Sequence, residues 1–187
     1  ELQSQVLLDD KGVKITGLKL LTSAQGELLP VDNAQLEVMG DIDFSFTTNQ
    51  LSIKGFNTRV DTQGGILKQS AVNLSGEVGF DLNRQLLTIA VLDVQADVQD
   101  PTVPKGQVKV GLSASELKLQ LEKRSISLND LSLALNENQF KGQLTVADYA
   151  KPSARFELAS DRFDVDALLG RSKQQAKPEP EINSGST

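Results

Sequence analysis

The sequence predicts a mainly β protein: a long, curved antiparallel sheet built from repeated bulged hairpins, a β-groove or open half-barrel, with one short C-terminal helix. Three observations predict it. Apolar and polar residues alternate with period two over most of the chain. Short polar turns separate many of the alternating runs. One eight-residue pattern returns four times at nearly constant spacing, the signature of a repeat architecture.

The alternating runs fall at 12–21 (GVKITGLKLL), 34–46, 50–60, 71–82, 85–98, 107–121, 125–135 (SISLNDLSLAL), 139–146 and 154–160. Between them lie tight polar turns such as Asp9-Asp10-Lys11-Gly12, Thr48-Asn49-Gln50, Asn83-Arg84-Gln85 and Glu122-Lys123-Arg124. Other connections contain Pro or Gly: Leu28-Leu29-Pro30, Gly64-Gly65 and Asp100-Pro101-Thr102-Val103-Pro104. Turns of this length join antiparallel neighbours.

The repeated pattern reads VKITGLKL from Val13, LSIKGFNT from Leu51, LTIAVLDV from Leu87 and ISLNDLSL from Ile126; the starts differ by 38, 36 and 39 residues. In each copy the alternation reverses parity halfway. The pairs Thr16-Gly17, Lys54-Gly55, Ala90-Val91 and Asn129-Asp130 mark the reversals. One extra residue in a strand forms a β-bulge, which keeps both halves' apolar residues on one face and bends the strand. The alternative at each slip is one strand ending and another beginning. Four equivalent bulges would curl the sheet.

The resulting apolar face carries Val13, Ile15, Leu18, Leu20, Leu51, Ile53, Phe56, Leu87, Ile89, Leu92, Val94, Ile126, Leu128, Leu131 and Leu133. Ten strands at ~4.8 Å spacing span ~45 Å, and eleven residues at ~3.3 Å make strands ~35 Å long. The chain offers no set of amphipathic helices to cover such a face, so it closes on itself as a sandwich or barrel or encloses something apolar. Two readings of the face stay open on the residues. One is an ordinary core. The other is a trough for acyl chains, which the aliphatic composition suits.

The run ends near FELASDRFDVDALLG (156–170), read as a short helix capped by Asp164 or Asp166 and stopped by Gly170. Residues 1–170 form the repeat-built domain. Residues 171–187 are polar and rich in Pro, Gln, Glu and Ser, and read as a disordered tail. The chain starts Glu-Leu-Gln without Met and is read as a piece of a longer protein. No signal peptide is visible in it, and no run approaches the ~18 apolar residues of a membrane helix.

Composition removes most chemistry. With no Cys and no His among 187 residues, thiol nucleophiles, Ser-His-Asp triads and typical zinc sites are excluded. No Walker or dinucleotide-binding motif is present. A net charge of −6, one Tyr, no Trp and scattered Lys and Arg argue against nucleic acid. Asp41 with Asp43, and Asp93 with Asp97, alternate with apolar residues and read as a solvated strand face. Asp161, Asp164 and Asp166 lack the Ca²⁺-loop spacing and read as a turn and helix cap. Tyr149 in ADYAKP reads as an edge anchor. No catalytic residue, metal or cofactor is expected.

Residues 125–170 resemble the AsmA family of bacterial envelope proteins. The stretch has a strand ending in Asp130-Leu131, then F-x-G-x-L-x-V from Phe140 to Val146, a Pro-containing hairpin, F-x-L at Phe156 to Leu158, and D-V-D-A-L-L at Asp164 to Leu169, followed by a Pro- and Gln-rich linker. The resemblance covers about a quarter of the chain clearly and the earlier repeats loosely. It implies a periplasmic module of a Gram-negative bacterium, in a parent protein anchored in the inner membrane. It also implies a role in outer-membrane assembly and lipid homeostasis, with phospholipid or lipopolysaccharide acyl chains shielded in a curved sheet. A second expectation is a non-catalytic, chaperone-like module that assists outer-membrane proteins by strand pairing. A third, a carboxylate enzyme centred on Asp41, is the least supported by the residues.

Overall fold

The computed structural model describes residues 1–26, 31–65, 68–103, 106–150 and 153–160. These form ten strands in one antiparallel sheet whose spatial order is the chain order. The strands are β1 (Leu2–Leu8), β2 (Gly12–Gln25), β3 (Asn33–Ser45), β4 (Gln50–Gln63), β5 (Gln69–Asp81), β6 (Leu86–Gln99), β7 (Gln107–Gln120), β8 (Ser125–Leu135), β9 (Asn138–Val146) and β10 (Ala154–Ala159). Among the described residues β1 and β10 are the two outer strands and do not pair with each other, so the sheet is open rather than a barrel, and no second sheet packs on it. Nine of the strands coincide with the alternating runs. β1 does not, because LQSQVLL has little alternation to show. The connection at Leu28–Pro30, Pro104, the helix expected at 164–170, the aspartate cluster at 161–166 and the tail 171–187 lie outside the described residues.

Each copy of the repeated pattern begins one residue into an even-numbered strand, β2, β4, β6 or β8. The parity slips are bulges. At all four, the second residue of the pair has left-handed backbone: Gly17 (φ 63°), Gly55 (φ 60°), Val91 (φ 52°) and Asp130 (φ 49°). Pairing shifts by one residue beside them, between Ile15 and Leu18, between Ile53 and Phe56, and between Leu128 and Leu131. β7 slips as well, at Ser115. This residue lies opposite Val91 on one side and Asp130 on the other, so β6, β7 and β8 stay in continuous register. The Ser115 hydroxyl ties β7 to the β8 bulge through Asp130 Oδ2 at 2.7 Å.

The two ends of the sheet differ. At one end, a residue of each turn donates its N–H to the last residue of the turn before it; in the first three cases it is the first residue of the turn, and in the last it is the third. Phe46 bonds Lys11 O at 2.8 Å, Leu82 bonds Asn49 O at 3.0 Å, Leu121 bonds Gln85 O at 2.9 Å and Tyr149 bonds Arg124 O at 2.8 Å. Successive turns are thereby stacked into a ladder. Tyr149 joins this ladder through its backbone N–H, and its side chain is exposed. The opposite end holds the longer Pro- and Gly-containing connections.

Candidate functional site: an open apolar trough

Strand register turns the alternating residues into rows that cross the whole sheet. The row nearest the turns runs from Leu8 through Val13, Phe44 and Leu51 to Phe80. It continues through Leu87, Leu119, Ile126 and Val146 to Ala154. The next row runs from Val6 through Ile15, Ile42 and Ile53 to Val78, then through Ile89, Leu117, Leu128 and Leu144 to Phe156. Both are apolar at all ten strands.

The third row follows the bulges and alternates large with small. Leu18 faces Gly40, Phe56 faces Gly76, Leu92 faces Ala114, and Leu131 faces Gly142. A fourth row holds Leu20, Val38, Thr58 and Leu74, then Val94, Leu112, Leu133 and Phe140. Thr58 donates its hydroxyl to the Glu37 carbonyl at 3.1 Å, so its polar end is engaged by backbone. The fifteen residues expected on the apolar face thus occupy every point but Thr58 of a grid of four strands by four rows. None of them is exposed.

The face is concave. A flat single layer leaves the space above each side chain to water, yet Leu92 is 5% exposed, and Leu128 and Leu131 are each 8% exposed. The cover comes from the same face. Leu74, Ile89, Val94, Leu112, Leu117 and Leu144 pack around the cluster of Leu92, Ala114 and Leu128. The four buried apolar residues all lie in the second and third rows, so the trough floor follows the bulges that bend the strands. At ~4.8 Å per strand the floor runs ~45 Å across the sheet. Among the described residues, no second layer covers it and no side chain falls below 2% exposure.

Glycine in the third row is a matter of space. A Cβ on Gly76 would stand 2.7 Å from Ile89 Cγ2, and one on Gly40 would stand 2.9 Å from Ile53 Cγ2. The residue after each of these glycines is acidic, and its carboxylate accepts the left-handed amide across the pair. Gly17 N–H reaches Asp41 Oδ1 at 2.7 Å, and Gly55 N–H reaches Glu77 Oε1 at 3.1 Å. Reasoning from the four copies alone missed the odd-numbered strands, which supply Ile42, Phe44, Val78, Phe80, Leu117 and Leu119. Their unbroken alternation is the signal that identifies them.

The opposite face carries the charge. Lys14 pairs with Asp43 at 3.3 Å, Lys19 with Glu37 at 3.0 Å and Lys118 with Glu116 at 2.6 Å. Asp93 accepts from Gln95, and Asp97 from Gln107 at 2.8 Å. Near the β4–β5 end of this face, Asp61 raises the Arg59 guanidinium above its ordinary value by hydrogen bonding. Amides line the strand ends away from the turns: Gln25, Asn33, Gln63, Gln69, Gln99 and Gln107 are register partners across six strands. Asp100, buried at the same end, has its carboxyl held below the ordinary range. The Thr102 hydroxyl and Thr102 N–H are the main causes, with the Lys68 N–H assisting. Asp81, at the turn end, is lowered chiefly by the Arg84 backbone N–H.

Among the described residues, no group of three or more acidic side chains is placed to hold a metal, and no helix is long and apolar enough to cross a membrane. The fold and face together define an open, single-layer β-trough. Comparison with protein-family models and with curated proteins finds no match to the chain.

Proposed function

We propose that this chain is an AsmA-like periplasmic module that shields phospholipid acyl chains in its trough during transport between membranes, serving outer-membrane assembly and lipid homeostasis. One observation carries the reading: the apolar rows cross all ten strands, and among the described residues no second layer covers them. Soluble proteins rarely leave so large an apolar surface without an occupant. The mechanism is passive. Each CH₂ removed from water is worth ~0.8 kcal/mol, so a sixteen-carbon chain gains on the order of 10 kcal/mol before ordering costs. The parent's inner-membrane anchor and the Gram-negative envelope belong to the same proposal, and their support is the resemblance of residues 125–170.

The test is binding of a fluorescent phospholipid to delipidated protein. Saturable binding that an unlabelled phospholipid competes away supports the reading; no saturable binding to folded protein removes it.

A second reading has its own observation. Both outer strands are exposed along their length, and each has one edge that no strand among the described residues pairs with. Such edges accept a further strand, which is how a chaperone-like module would hold an outer-membrane protein. Pairing that is lost when β10 carries Phe156→Pro, with lipid binding retained, would favour it.

A further inference from the structure

The two rims of the trough are unequal. At the turn end the apolar parity runs on past the strands. Phe46 continues β3, Leu82 continues β5 and Leu121 continues β7, and all three are exposed. Phe46 packs edge-on against Phe44, with ring centroids 5.6 Å apart.

At the other end the side chains shrink by the sixth row, which carries two hydroxyls. The fifth row is still mainly apolar: Thr22 is followed by Leu36, Val60, Val72, Ala96, Val110 and Leu135, and the row ends at Asn138. The sixth holds Ala24, Ala34, Thr62, Ser70, Val98 and Val108, with nothing larger than Val. Thr62 and Ser70 share one hydrogen bond at 2.6 Å. Two hydroxyls carry two O–H donors and four lone pairs. That bond uses one of each, which leaves a donor and acceptors for a ligand. One step beyond Val98 on the same parity, Asp100 is buried and bonded to Thr102.

We propose that the trough holds its lipid in one orientation across its width, with the headgroup over the Thr62–Ser70 rim and the acyl chains over the bulge floor and the apolar turn-end rows. This rests on the trough reading above. An amphiphile set the other way would desolvate its headgroup against Phe46, Leu82 and Leu121.

The experiment uses two phosphatidylethanolamines, one with a photoreactive diazirine beside the glycerol and one with it at the end of an acyl chain. Each is bound to the protein, irradiated, and mapped by peptide mass spectrometry. The glycerol label is expected on peptides containing Thr62, Ser70 and Val98 about tenfold more than on those containing Phe46, Leu82 and Leu121, the ratio that a preference of about 1.4 kcal/mol gives. The chain-end label is expected on the floor, at Phe56, Leu92 and Leu131. Thr62→Leu with Ser70→Leu is expected to shrink the tenfold bias while leaving the floor label in place. Glycerol label spread evenly over both rims, or concentrated at the turns, with the floor still labelled, overturns the orientation alone. Failure of the chain-end label to mark the floor overturns the trough reading as well.

Discussion

The Gly17 amide donates to the Asp41 carboxylate at 2.7 Å, from a left-handed residue on one strand to the next strand over. Gly55 and Glu77 repeat the relationship one hairpin later. The carboxylate satisfies an N–H that the bulge removes from the ladder, and the left-handed turn is what bends the strand. The trough's curvature therefore depends on a few residues repeated along the sheet, and those residues can be changed one at a time.

Val91 occupies the same left-handed position in β6 (φ 52°) and is 71% exposed. A left-handed conformation costs an L-residue roughly 1–2 kcal/mol, and glycine's greater freedom when unfolded returns roughly 0.4–1 of that. Val91→Gly is expected to raise unfolding stability by about 1 kcal/mol. Gly17→Val should lower it by a similar amount. Urea unfolding measures both; destabilisation by Val91→Gly would mean that the bulge is not strained.

Gly76 stands opposite Phe56 at the trough floor. Gly76→Val would place a Cβ 2.7 Å from Ile89 Cγ2 and 3.1 Å from the Ala90 carbonyl. Overpacking of this kind costs roughly 1–3 kcal/mol. A loss in that range in denaturant unfolding is expected, and an unchanged midpoint would contradict the close packing of the third row.

Asp100 links pH to stability. Its folded carboxyl titrates below the ordinary value of about 3.9, so its contribution is fully present above that value and is lost as pH falls through the folded value. Asp100→Asn is expected to flatten the decline of stability below about pH 4. Urea midpoints compared between pH 3 and pH 6 test this, and an equally steep acid decline in the variant would exclude Asp100 as a source.

Leu131 and Ser132 are adjacent in β8 and lie on opposite faces. Leu131→Asp is expected to abolish lipid retention, as is Leu92→Asp, while Ser132→Asp leaves it intact. Circular dichroism first establishes that each variant is folded. Equal retention by folded Leu131→Asp and Ser132→Asp would mean that lipid is held elsewhere.

Much of this was legible in the sequence. The reversals at Thr16-Gly17, Lys54-Gly55, Ala90-Val91 and Asn129-Asp130 are local events, and they gave the bulges and the repeat. The slip at Ser115 is masked in the sequence, because Ala114 and Ser115 are both small and blur the alternation between Leu112 and Leu117. The rows themselves are non-local. That Phe44 stands between Val13 and Leu51, or that Gly40 and Gly76 make room for Ile53 and Ile89, follows only from register. The expectation that the sheet closes as a sandwich or barrel, or else encloses something apolar, left the outcome to topology. Among the described residues β1 and β10 do not pair, so the sheet is not closed into a barrel, and alternation within a strand carries no information about edges.

The most direct test is organic extraction and lipid mass spectrometry of the purified protein, beside a denatured control. Stoichiometric phospholipid or lipopolysaccharide, released on unfolding, is the predicted result. A stably folded protein that carries no lipid as purified and takes up none when offered it would contradict the account.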